Sequence, residues 1–156
     1  MAVTDLSNYA ADVYIGGPFI ITWFQAGIGT IKAGYVCEYD DADEITLCTI
    51  DANYAAGVAG LTASQEIDTV YTSGVAIPMY HLGVGTNVWV KKDADDSDMN
   101  LGRLANTSNA TAGAIEPWDY TDAALRSDSV SSCIGRYSRT QEGTATLSFV
   151  KVILGI

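Results

Sequence analysis

Apolar and polar positions alternate with period two in several parts of the chain, most clearly in residues 70–92, VYTSGVAIPMYHLGVGTNVWVKK. Val70 and Thr72, then Val88 and Val90, alternate with their neighbours as half-buried strands do. Pro78 interrupts the stretch at a corner hostile to helix, and Gly83 and Gly85 supply the backbone freedom of a tight turn. The pattern predicts two strands joined as a hairpin in the middle of a barrel.

The rest of the chain extends this reading. Residues 1–11 are polar and weakly patterned, as a terminal arm would be, and residues 13–15 have the makings of a brief strand before the breaker Gly16-Gly17-Pro18. Residues 19–24, FIITWF, read as a buried strand rich in aromatic and β-branched side chains, closed by Gly27 and Gly29. Lying beyond an arm, this segment is expected to pack on a neighbouring subunit as readily as on its own core. Residues 31–39 and 45–50 form a predicted hairpin across the acidic turn Asp40, Asp41, Asp43 and Glu44. Tyr35, Cys37 and Tyr39 share one face of its first strand. Residues 55–61, AAGVAGL, suit a strand lying close against another backbone.

From about residue 93 to 132 the pattern collapses into Asp, Ser, Asn, Ala, Thr and Gly, a predicted excursion with short elements inside. Pro117 to Tyr120 is its expected anchor, and residues 121–127 suit a helical turn capped by Thr121. Residues 132–138 read as a strand, 141–143 as a turn, and 145–154 as a long buried strand central to a sheet. The expected fold is all-β: a compact β-barrel or sandwich with an N-terminal arm over residues 1–30, a barrel domain over 31–156, and a long polar insertion near 93–132.

Composition narrows the function classes. A chain of 156 residues that is 48% apolar and 17% charged, with 15 glycines, matches one compact β domain with many tight turns rather than a disordered chain. The formal net charge of -11 repels phosphate backbones, so no nucleic-acid partner is expected. The apolar run 19–24 is far shorter than the ~20 residues that cross a bilayer, and the first residues lack the basic region of a signal peptide, so no membrane partner is expected and synthesis in the cytoplasm is. The sequons at Asn106 and Asn109 then carry little meaning. Cys37, Cys48 and Cys133 are an odd count. Cys37 and Cys48 fall in neighbouring predicted strands and read as buried reduced thiols, with a cross-hairpin pair as the alternative.

Candidate chemistry is sparse. His81 is the only histidine, has no nucleophile elbow beside it, and reads as a structural side chain at a strand end. The run from Asp93 through Asp95, Asp96 and Asp98 invites a calcium reading, but an EF-hand loop starting at Asp93 would need Gly where Asp98 stands and a carboxylate where Leu104 stands. It reads as a solvated acidic turn, with a looser calcium site as the alternative. Gly27-Ile28-Gly29 lacks the third glycine and the helix of a dinucleotide fingerprint. No enzymatic activity and no cofactor are expected.

The order of motifs carries a resemblance. KAGYV, GVAG, VYTSGVA, GTNVWV and IGRY, followed by a Val- and Leu-rich strand, occur in succession between residues 31 and 154. This succession resembles the small β-barrel capsid decoration (cement) proteins of tailed viruses, including the DUF2190-like phage family. It covers the chain outside the insertion and the first thirty residues, and its motifs are short. The resemblance implies a non-enzymatic virion surface protein that stabilises an icosahedral capsid. It implies partners in its own copies, most simply as a trimer, and in the major capsid protein at capsomer seams. The aromatic residues expected to make such contacts are Tyr14, Phe19, Trp23 and Phe24 near the N-terminus, with Trp118 and Tyr120 in the insertion. The competing expectation is a self-assembling filament or tube subunit joined by exchange of the N-terminal strand.

Overall fold

The computed structural model describes residues 6–8, 10–49, 55–93, 101–118, 133–138 and 149–155. Among these residues it is all-β apart from one 3-10 turn at Leu6–Asn8. In chain order the strands are β1 (Tyr14–Gly16), β2 (Ile21–Ala26), β3 (Val36–Asp41), β4 (Glu44–Leu47), β5 (Ala55–Ala59) and β6 (Ala76–His81). They continue with β7 (Asn87–Lys91), β8 (Leu104–Thr107), β9 (Ile115–Pro117), β10 (Cys133–Tyr137) and β11 (Phe149–Leu154). Two bodies result: a closed barrel in the order β2-β4-β3-β5-β6, and a six-stranded sheet in the order β1-β7-β11-β10-β8-β9.

The predicted hairpin over residues 31–50 is present as β3 and β4, antiparallel with Cys37 opposite Leu47 and Tyr39 opposite Ile45. Strand β5 packs backbone to backbone as its composition requires. A Cβ at Gly57 would stand 2.2 Å from the Tyr80 carbonyl oxygen on β6, so only glycine fits this crossing. The C-terminal strand is central, with β11 between β7 and β10. Its predicted continuation through Leu147, the turn at 141–143 and the helical turn at 121–127 lie outside the described residues.

The stretch 70–92 differs from its prediction. Val70 and Thr72 are exposed and belong to no strand, whereas Pro78, the expected corner, lies inside β6 opposite Trp23. Proline brings no N–H to a ladder, but its carbonyl still accepts from the Gly60 N–H at 2.7 Å, which keeps the strand paired. Strands β6 and β7 do not pair with each other. Gly83 and Gly85, at φ 82° and 88°, turn the chain out of the barrel and into the sheet.

Both ends of the chain are woven into these bodies. Residues 14–16 and 21–26 of the expected arm are strands of the sheet and of the barrel, and the insertion contributes β8 and β9 to the sheet. Leu6 is fully buried, and its N–H and that of Ser7 are bonded to the two carboxylate oxygens of Asp68 at 2.6 and 3.1 Å.

Two apolar clusters match the two bodies. One fills the barrel with Ala26, Ile31, Cys37, Ile45, Ala59, Tyr71, Ile77 and Met79. The larger one gathers Val36, Val58 and Tyr80 from the barrel with Val88, Val90, Ile115, Ile134, Val152 and Leu154 from the sheet. Cross-strand partners share a face and alternate residues oppose it, so Met79 points into the barrel and Tyr80 out of it.

Candidate docking face

The side chains most exposed for their chemistry collect on β2 and its two flanks. Of nine exposed large apolar residues among those described, Phe19, Ile20, Trp23 and Ile28 fall within ten positions. Trp23 is 59% exposed and Ile28 88% exposed, values that no core requirement explains. Strand alternation puts Ile21 and Trp23 on the outer face of the barrel wall, beside Tyr80 and Pro78 of β6, and Phe19, just before the strand, meets the Tyr80 ring there. Val75 is also exposed, and its carbonyl accepts from the Ala26 N–H at the far end of β2.

The flank of this strand is as informative as its side chains. Along β6 the pairing runs from Ile21 to Gln25, five consecutive positions. Against β4, only Gln25 and Ala26 pair, in parallel. Among the described residues, the first half of β2 therefore has a strand neighbour on one side only, and a half-open edge lies beside an exposed aromatic row. Such an edge accepts an added strand or an extended segment through main-chain hydrogen bonds.

The structure sorts the six aromatic residues singled out from the sequence. Tyr14 stacks on Tyr80 with ring centroids 6.0 Å apart and donates its hydroxyl to the Gly17 carbonyl at 2.8 Å. Phe19 meets both rings edge-on, at 5.4 Å from Tyr14 and 6.4 Å from Tyr80, while remaining half exposed. Burial, then Asp12 and Tyr14, push the Tyr80 phenol up to about 12, so it stays neutral in this apolar company. Phe24 lies on the opposite face of β2, against Tyr39 at 5.4 Å and His81 at 6.5 Å, in the mouth of the barrel. Trp23 has neither arrangement and projects outward. Trp118 is half-buried beyond β9, its carbonyl accepting from Arg103 at 3.1 Å. Tyr120 lies outside the described residues.

Sequence reasoning missed Ile28, Tyr39 and Val75, and singled out Ile20 only as part of the apolar run 19–24. Only for Ile28 was there a local signal, a large aliphatic side chain between two glycines, where no strand can turn it inward. The others needed the register to tell their faces apart.

The remaining candidates have structural roles. The imidazole Nε2 of His81 lies 2.7 Å from the Thr22 hydroxyl across the β2–β6 pair. Asp93, expected in a solvated turn, is buried instead: Ser108 donates its hydroxyl to the Asp93 carboxylate, and the neighbouring Lys92 donates to the Asp93 carbonyl at 2.6 Å. The reason is the isolated bridge between Lys92 and Ile115, which draws this end of β7 under β9. Asp95, Asp96 and Asp98 lie outside the described residues. Among the described residues no three His, Cys, Asp or Glu side chains gather as a metal site would require. Cys37 and Cys48 are buried free thiols. Burial and then Glu38 push Cys48 up to about 12, and burial with the neighbouring Cys48 raises Cys37 still further.

With this geometry in place, the comparisons concern fold. No family model matches the sequence, so the narrower resemblance to the DUF2190 family is without support, and no curated protein matches it either. Solved structures do. A chain in the structure of the capsid of Myoviridae phage XM1 superposes with a TM-score of 0.56 at 18% identity, covering 99% of this chain and 94% of that one. The N base of head fiber gp8.5 of bacteriophage phi29 aligns with a TM-score of 0.45 at 14% identity, over 88% of this chain and 94% of that one. The first of these likenesses takes in barrel, sheet and both chain ends together.

Proposed function

We propose that the protein is a structural component of a phage virion that decorates the outer surface of an icosahedral capsid, with the β2 ridge as the face laid against the shell. The observation that carries this reading is the exposure of Phe19 and Ile20 just before β2 and of Trp23 on it, beside a strand whose first half, among the described residues, is open on one flank. The full-length likeness of fold to a chain of a phage capsid structure supports the setting. The acidic composition and the close packing of both bodies fit a rigid clamp with no chemical step. Aromatic rings held on a barrel wall lose little freedom on docking, and the open edge offers main-chain hydrogen bonds that need no matching side chain. Several copies acting together, as homo-oligomers at capsomer seams, would hold by avidity where each single contact is modest.

The filament reading has less to draw on. It requires residues 19–24 to leave and complete another copy's sheet, and β2 already forms a five-position ladder with β6 in its own barrel.

Cosedimentation of the full chain with purified shells of its own phage tests the proposal. Wild-type protein should pellet with shells, and Trp23→Ala should weaken binding by about 30-fold, the loss typical of one central aromatic anchor. Its thermal unfolding should match wild type, because an exposed side chain contributes little to the fold. Wild-type protein left in the supernatant, or Trp23→Ala binding as wild type does, would overturn the reading.

A further inference from the structure

The few cations of the chain are concentrated in its second half, whereas its carboxylates are spread along it. Lys32 is the only Lys or Arg before residue 91; the other seven follow. The barrel carries Glu38, Asp40, Asp41, Asp43 and Glu44 on and around the β3–β4 hairpin, whose tip projects Asp40, Asp41 and Asp43 into solvent. The sheet holds Lys91 on β7, Arg136 on β10 and Lys151 on β11. Register places Arg136 opposite Ile153 and Lys151 opposite Trp89, so these side chains share the outer face of the sheet. Lys151 is held there with its ammonium 5.0 Å from the centre of the Trp89 ring.

At one end of this face is a cleft of about 430 Å³, lined by Gly83, Val84, Gly85, Arg136, Ile153 and Gly155, with Leu154 beneath. Its floor is glycine backbone, closed by the hydrogen bond from Gly85 N–H to the Leu154 carbonyl at 2.7 Å. Arg136 is exposed, and one arm of its guanidinium donates to the Gly102 carbonyl at 2.8 Å, which fixes the group at the rim. Ile153 is 42% exposed beside it. A concave site with an aliphatic wall, bare backbone and one oriented guanidinium matches a narrow, convex, carboxylate-bearing segment.

We propose that this cleft receives the acidic β3–β4 hairpin tip, residues 40–44, of a second copy of the same chain. Donor and acceptor surfaces lie on different bodies of each protomer, so copies can add head-to-tail. Such a contact closes into a ring where the rotation between copies allows, and otherwise continues as an open chain. Charge complementarity selects the occupant: an acidic protein self-repels unless its few cations meet its carboxylates, and this arrangement brings Arg136 and Lys151 toward Asp40, Asp41 and Asp43. The inference rests on the homo-oligomer of the reading above and names the surfaces that build it.

Sedimentation velocity of the full chain over a range of protein concentrations, in low and high NaCl, tests it. Wild type should self-associate, and 1 M NaCl should weaken association by about tenfold or more, since exposed pairs are screened at that ionic strength. Arg136→Glu should weaken it about tenfold or more, and so should Asp43→Lys, an exposed turn substitution that leaves the sheet untouched. Combining both reversals in one chain should restore association, because every contact then regains an opposite-charge pair. A wild-type chain that stays monomeric, single reversals without effect, or a double reversal that fails to restore association would each overturn the proposal. Shell binding by a monomeric wild type would sink only this inference, whereas association without shell binding would sink only the capsid reading.

Discussion

Replacing Gly57 by alanine probes the contact on which barrel closure depends. The new Cβ would lie 2.2 Å from the Tyr80 carbonyl oxygen, 2.9 Å from Met79 Cγ and 3.0 Å from the Tyr80 carbonyl carbon. Even the tightest real contact requires that oxygen to retreat by ~0.8 Å. Strand β5 pairs with β6 only at Gly57–His81, Val58–Tyr80 and Ala59–Met79, and with β3 on its other side. Strand β5 is paired on both sides and so has no free edge at which to absorb the displacement; the ladder itself must open. Overpacking costs about 1–3 kcal/mol, and each strained backbone hydrogen bond adds about 1 kcal/mol. Restricting the unfolded chain returns only about 0.4–1 kcal/mol. The net loss is about 3 kcal/mol, or a fall in Tm of roughly 6–12 °C for a chain of this length. Circular dichroism melts and urea titrations measure it. Gly16→Ala is the internal control: nothing lies within 4 Å of its added Cβ and its φ is not left-handed, so it should be neutral or slightly stabilising. If Gly57→Ala melts at or above wild type, the account of the β5–β6 crossing is wrong.

Three other outcomes follow from named residues. Asp68 holds the N–H groups of Leu6 and Ser7 at a φ of 73°, the one left-handed value outside glycine among the described residues, so Asp68→Ala should cost about 2 kcal/mol or more. Asp68→Gly, which loses the same bonds but relieves the backbone, should recover part of that loss; equal melting of the two variants would remove the backbone contribution. The alkaline limb of stability should be steep. The Cys48 thiol and Tyr80 phenol ionise near 9.0 and 10.0 when unfolded but only near 12 when folded, so folding retains protons that the unfolded chain releases. Stability is therefore fully present below pH 9 and falls as pH rises toward 12, by about 1.4 kcal/mol per pH unit for each group in its window. Cys48→Ala should flatten that limb between pH 9 and 12, and an unchanged slope would refute the assignment. In native protein at pH 8, a thiol reagent should react with the half-exposed Cys133 while sparing buried Cys37 and Cys48 until unfolding; prompt reaction at all three would contradict the packing.

Local chemistry made part of this legible in advance. Residues 31–39 and 45–50 read as a hairpin because β-branched and aromatic side chains alternate on either side of an acidic turn, and nothing distant is needed to form one. AAGVAGL announced a close backbone approach because small side chains leave no other way to fill space. The β2 aromatics stood out as large apolar groups in a sparsely charged chain. Their sorting did not. Phe24 faces Tyr39 in the barrel mouth while Trp23 faces solvent, and adjacent residues of a strand differ in this way only once a register is fixed.

The sequence by itself determined that this chain is built of short strands punctuated by glycine, because alternation and turn chemistry act within a few residues. It also held the large apolar residues of the run 19–24, though not which of them stay outside. Only the tertiary structure decided which strands pair. Pro78 sits within β6, Gly83 and Gly85 carry the chain from barrel to sheet, and the supposed arm closes the barrel. Those outcomes depend on partners far away in sequence, where one carbonyl reaching Gly60 or one ladder with β6 outweighs local preference. The same long-range pairing sets an acidic hairpin on one body and a fixed arginine in a glycine-floored cleft on the other, an arrangement that no window along the chain contains.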